Sequence, residues 1–140
     1  MSINQSSGSA AETEAVKEIY AAINRNDIEA TLKFFAPEIV RIEPEGFPSA
    51  GTYRGHQEIK IHLSKGRGTW AEGNCDPERL LMIDDKVIAF LHVLVRLKDK
   101  TEWIDGRLAD VFTFRNGKVI EMRTFAEGEQ ALKWIENIIN

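Results

Sequence analysis

Residues 108–125 read LADVFTFRNGKVIEMRTF, and this stretch decides the fold. Leu108, Asp110, Phe112 and Phe114 alternate with Ala109, Val111 and Thr113, the two-residue period of a β-strand. Asn116-Gly117 follows, a two-residue hairpin signal in which both positions need φ > 0. Lys118 to Phe125 is then expected to return antiparallel. Upstream, Thr101 to Phe114 reads as one long strand, and Val87 to Leu97 is β-branched with apolar residues on both faces. Arg79 to Ile83 is a further strand, with polar turns at residues 84–86 and 98–100.

The N-terminal half is helical in pattern. Residues 1–11 are small and polar and read as a flexible tail, leaving residues 12–140 as a single domain. Ser9 and Glu12 have capping-box spacing, which starts a helix near residue 10. Val16, Ile19, Tyr20 and Ile23 form its apolar face, and residues 24–26 interrupt it. Asp27 is an N-cap for a shorter helix carrying Ile28, Leu32 and Phe35, ended by Pro37. Ile39 to Glu43 is a short strand closed by Pro44, and a loop follows. Gly55 to Ser64 is a third helix with Ile59 and Leu63 inward, and the glycines from Gly66 to Gly73 suggest a loop. A last helix, Glu127 to Ile139, turns Leu132, Ile135 and Ile138 or Ile139 inward. Helices followed by a strand meander give an α+β domain, helices on one face of an antiparallel sheet.

Composition bounds the function. The 140 residues hold 22 acidic and 18 basic side chains, a net charge of -4, which argues against nucleic acid or an anionic membrane as partner. Val87 to Leu91, the longest apolar run, is too short to span a bilayer. The chain shows no charged-then-apolar leader, so a cytoplasmic location is expected. The single cysteine, Cys75, excludes an internal disulfide, and no histidine near it in sequence suggests a nucleophile. His56 and His62, six apart, lack ligand spacing for one metal, so no metal site is expected.

Asp110 shares its strand face with Leu108, Phe112 and Phe114. Desolvation there raises a carboxyl pKa and keeps it protonated as a hydrogen-bond donor. The alternatives are that Asp110 reaches solvent across a bulge, or pairs with Arg107 or Arg123. Glu43 reads from spacing alone as an exposed strand-end glutamate; above a pocket it would be placed as a general base. His92, on a face with Ile88, Phe90 and Leu94, reads as a satisfied core residue in preference to a catalyst.

The chain resembles the NTF2-like superfamily, in its SnoaL-like and ketosteroid-isomerase-like branch. Its carriers are Asn26-Asp27-Ile28-Glu29-Ala30, Phe35-Ala36-Pro37-Glu38, Arg54-Gly55-His56-Gln57-Glu58-Ile59 and the run from Asp110 to Val119. The resemblance implies a cone, a curved antiparallel (cystatin-like) sheet with three N-terminal helices around an apolar pocket, plus here a C-terminal helix. It implies a homodimer through the outer sheet face. Glu43-Pro44 resembles the isomerases' base, an Asp before Pro, and Asp110 matches their protonated oxyanion-hole acid. These two are the implied catalytic pair, with Tyr20, His92, Phe112, Ile19 and Phe35 as substrate-binding residues.

The implied chemistry moves a proton next to a carbonyl of a small apolar ligand through an enolate. The proton is returned, so no cofactor is required. Other members of the branch would make this a binding module, or a polyketide cyclase with Asp110 as acid/base. The departures are local. The isomerases' pocket tyrosine falls on Ile19, and Tyr20 is one residue off, a turn of about 100° on a helix. Either the second oxyanion donor is missing or Tyr20 reaches in after a small shift. Ala126 stands where the isomerases can carry an aromatic, and Arg107 and Asp110 lack the Arg-x-Asp spacing of a related epoxide-hydrolase branch. The last helix has no counterpart in the short isomerases and would cover the pocket mouth or extend the dimer interface.

Overall fold

The computed structural model describes residues 7–139. Its elements are α1 (Ser7–Asn24), α2 (Ile28–Leu32), β1 (Phe35–Glu43), β2 (Gly51–Arg54), α3 (Gly55–Arg67), β3 (Trp70–Ile83), β4 (Lys86–Leu97), β5 (Trp103–Arg115), β6 (Lys118–Phe125) and α4 (Gly128–Ile139). Helix α1 begins at Ser7, so residues 7–11 of the expected tail are helical, and residues 1–6 lie outside the described residues. Six strands form one curved, unclosed sheet in the order β2-β1-β6-β5-β4-β3. All neighbours run antiparallel except β1 and β6, which are parallel.

Each hairpin follows its turn chemistry. Asn116 (φ 52°) and Gly117 (φ 79°) occupy the left-handed region that the β5–β6 connection needs. Register shifts within the β1–β6, β3–β4 and β5–β6 ladders place bulges that bend the sheet. Gly73, just past the β3 shift after Trp70, has φ 118°, and a Cβ there would lie 2.2 Å from the Leu94 carbonyl oxygen. Only glycine lets β3 approach β4 this closely.

Two apolar layers flank the sheet. On the concave side Val16, Ile19, Tyr20, Leu32 and Ile59 of α1–α3 pack against Phe35, Ile39, Val87, Ala89, Leu91, Phe112, Phe114 and Met122 of the sheet. On the other side α4 buries Ala131 and Ile135 against Ile88, Ala109 and Val111. Trp134 packs on Phe125 and under the Arg123 guanidinium. Helices therefore cover both faces, not one. α4 does not close the concave side but occupies the β5–β6 part of the outer face. A second copy on that outer face would meet the β3–β5 part, where Leu94 and Trp103 are exposed. Among the described residues, no helix is long and apolar enough to cross a membrane.

Several local expectations change. Asp27 does cap α2, accepting from Ala30 N at 3.1 Å, but α2 ends at Leu32, and Phe35 opens β1. Pro37 sits inside that strand, where the ladder to β6 is interrupted, so no donor is missed. Residues 51–54 and 70–73, in stretches expected as loop, are strand, because pairing with β1 and β4 overrides their weak local preference. In α4, Leu132 and Ile135 turn inward as expected, joined by Ala131, while Ile138 and Ile139 are exposed.

Candidate functional site

The concave face carries the polar chemistry. On β5, Asp110 is 3% exposed, with both carboxylate oxygens taken. Tyr20 Oη, from α1, donates to Oδ2, and Thr124 Oγ1, on the neighbouring β6, donates to Oδ1. Tyr20 thus reaches Asp110 from one position beyond Ile19, and its ring meets Phe112 edge-on at 5.8 Å. Burial, and then the Asp110 carboxylate, push the Tyr20 phenol well above its ordinary range. Arg107 pairs with Glu78, and Arg123 with Glu121, so neither is the partner of Asp110.

Glu43 ends β1 on the same face. Ile42 lies opposite Arg123 on β6, so Glu43, one residue on, falls in the row of Thr124, which itself pairs with Asp110. The two carboxylates are then two strands apart, about 10 Å between backbones. The Glu43 side chain is 15% exposed, with His62 Nε2 at 3.2 Å and Arg41 Nη2 at 4.0 Å. Burial raises its pKa, but the approach of His62 and the Arg41 charge outweigh it, and the net direction is downward. His62 is fixed by stacking on Tyr53 at 3.9 Å, and the Tyr53 hydroxyl donates to Ser49 O.

A cleft of about 190 Å³ opens here, lined by Ile23, Arg41, Glu43, His62, Arg67 and Trp70 among others. Glu43 is in it. Asp110, Tyr20, Ile19, Phe35 and Phe112 are packed in the core behind it, and none of them lines this cleft or the other three larger cavities. His92 lies on the opposite face, with Nε2 2.6 Å from Asp105 Oδ1 and Arg107 as its β5 neighbour. Strand alternation puts it there: His92 has the parity of Ile88, under α4, whereas Leu91 faces the cone.

Residues beyond the expected set shape the site. Arg41 alternates with Ile39 and Glu43 along β1, so the strand period already placed it on the inner face. His62 lies three residues after Ile59 on α3, beside the inward stripe. Arg67 and Trp70 could not be read, because they meet only through the cation–π stack at 4.8 Å after α3 ends.

Two predictions arise here. Cys75, on β3, faces the inner cluster. Burial, then the charges of Asp110 and Asp76, push its thiol up to about 12. The native protein is therefore expected to resist dithionitrobenzoate at pH 8 and to react at once when unfolded in urea; rapid native labelling would show an exposed thiolate. Glu43, with its pKa lowered from 4.5, stays ionised down to acidic pH. Removing His62 removes a cause of that lowering, so His62→Asn is expected to move any Glu43-dependent acid limb to higher pH. An unmoved limb would assign it to another group.

An open cone whose concave face holds a buried tyrosine–aspartate pair and a rim carboxylate defines a ketosteroid-isomerase-like fold. The SnoaL-like domain family matches residues 16–122, and the chain belongs to it, within the NTF2-like superfamily. TerC, crystallised with polyporic acid, is 25% identical, with a TM-score of 0.74 over 90% of this chain and 98% of that one. An NTF2-like protein from Burkholderia thailandensis is 26% identical, with a TM-score of 0.71 over 89% and 96%. A protein of ketosteroid-isomerase-like fold from Catenulispora acidiphila, in complex with trimethylamine, is 13% identical, with a TM-score of 0.72 over 86% and 90%. Compared by sequence with curated proteins, the chain finds no match.

Proposed function

We propose that the chain moves a proton next to the carbonyl of a small ligand held at the cleft, passing through an enolate. Glu43 takes the C–H proton and returns it to the same or another carbon. For Tyr20, backed by Asp110, to donate to the developing oxyanion, the ligand has to reach past the cleft wall to the core where both are buried. The observation that carries this reading is the shared inner row: an ionised carboxylate lining a cleft, two strands from the Tyr20–Asp110 pair. TerC's co-crystal with polyporic acid supports adding quinones to a ligand panel of ketones.

The test is deuterium uptake at the α-carbon of small cyclic ketones in D2O, followed by NMR. Exchange catalysed by the wild type and lost in Glu43→Gln is the expected result. Exchange that survives Glu43→Gln but not Asp110→Asn would favour the cyclase-type assignment, with Asp110 as the acid/base. Binding without exchange across the panel would leave a ligand-binding module, a reading favoured by the internal saturation of both Asp110 oxygens.

A further inference from the structure

The cleft at the rim is lined by two guanidinium groups, Arg41 and Arg67, and one carboxylate, Glu43. Arg41 is 6% exposed, a guanidinium taken almost wholly out of water. Its Nη1 donates to the carbonyls of Ile42 at 2.8 Å and Met122 at 3.4 Å. Its Nη2 stands 4.0 Å from Glu43 Oε1, and its Nε has no partner. A buried, charged N–H without an acceptor is costly and calls for one. Arg67 supplies a second cation to the same cleft. Its Nε and Nη2 close the end of α1 by donating to Ile23 O and Asn24 O, each at 2.9 Å. Its Nη1 takes no partner among the described residues. The one carboxylate present, Glu43, has His62 Nε2 at 3.2 Å and Arg41 Nη2 at 4.0 Å, and its Oε2 makes no hydrogen bond among the described residues.

The walls add shape. Trp70 lies under the Arg67 guanidinium, and Ile23 and Leu63 complete an apolar side. A volume of about 190 Å³ suits a single ring bearing one acidic group.

We infer that the cleft's ligand is a small planar organic acid whose resonance-stabilised oxyanion, a carboxylate or an enolate, is bound by Arg67 and Arg41. The ring lies along Trp70, and the anion directs the adjacent carbon toward Glu43. Guanidinium groups suit such an oxyanion because their forked donors match two coplanar lone-pair directions. This inference rests on the cleft being the ligand site, as in the proton-transfer reading, but not on any proton being moved.

Benzoate and benzamide, equal in shape and different in charge, are the probes, measured by calorimetry at low and at 0.5 M salt. Benzoate is expected to bind at least tenfold tighter than benzamide and to weaken as salt is added. Arg67→Gln is expected to remove at least tenfold of that affinity, with Arg67→Lys intermediate. Glu43→Gln is expected to retain or tighten benzoate binding, since it removes a like charge. Equal affinity for the two probes, or no measurable binding of either to the wild type, overturns the inference whatever the variants' folding. Selective benzoate binding with no ketone exchange would sink the proton-transfer reading and leave this one standing. Glu43-dependent exchange without preference for benzoate would do the reverse.

Discussion

Glu43→Gln is expected to slow deuterium uptake into a bound ketone by about 10²- to 10⁴-fold, the usual contribution of a positioned general base. The substitution is nearly isosteric. It keeps an acceptor for His62 and loses only the charge, so the fold and the cleft should survive. Arg41 then faces no carboxylate at the rim, which gives the variant a second signature. Ligand affinity should hold or rise while turnover falls, placing the loss in kcat and not in KM. The pH profile sharpens the test. Glu43's pKa is lowered from 4.5, so the active, ionised form persists across neutral pH, and wild-type exchange should fall only as pH drops below that value. The same sign governs stability: the paired Glu43 contributes above the unfolded pKa, and its contribution is lost as pH falls through the native one. Exchange within threefold of wild type in Glu43→Gln would remove Glu43 from the chemistry.

Asp110→Ala is expected to cost roughly 2–6 kcal/mol, since two buried hydroxyls each lose their acceptor at about 1–3 kcal/mol apiece. Those hydroxyls are Tyr20 Oη and Thr124 Oγ1, and Tyr20, Thr124 and Asp110 are all nearly inaccessible to water. The check is urea denaturation of the wild type, Asp110→Ala, Tyr20→Phe and the double variant. Tyr20→Phe alone leaves Asp110 Oδ2 without its donor and should also destabilise. In the Asp110→Ala background the same change removes a hydroxyl that is already orphaned, so its added cost should be small or negative. That non-additivity is the signature of a direct contact. Additive losses, or an Asp110→Ala cost below 1 kcal/mol, would mean that the cluster is open to water.

Much of this architecture was legible in local pattern. The β5–β6 hairpin was readable because Asn116-Gly117 has few alternatives to a tight left-handed turn, and β6 falls on the expected residues. The inner position of Asp110 followed from its parity with Phe112 and Phe114. His92, expected among the substrate-binding residues, shares the face of Ile88 and Phe90, which the tertiary structure turns toward α4 and away from the cone. The edge strand β2 and the first half of β3 were not legible. Their residues are polar or small, and only hydrogen bonds to β1 and β4 make them strand. The end of α2 was misplaced for a related reason: Pro37 reads locally as a helix terminator, yet the chain meets β6 two residues earlier, at Phe35 opposite Val119.

The sequence by itself determined an acidic α+β domain, its hairpins and which strand residues share a face, because turn geometry and the two-residue pleat are local properties. It also placed Tyr20 within one residue of the position required for Asp110. Only the tertiary structure decided that Tyr20 makes that contact, since the rotation of α1 against the sheet is set by the packing of Val16 and Ile19. It alone put α4 on the outer face, because an amphipathic helix records that one side is buried and not against what. The rim cleft likewise exists only in three dimensions. Arg41, Glu43, His62, Arg67 and Trp70 come from β1, α3 and β3, and their charges meet where the open end of the sheet leaves them partly unscreened by water.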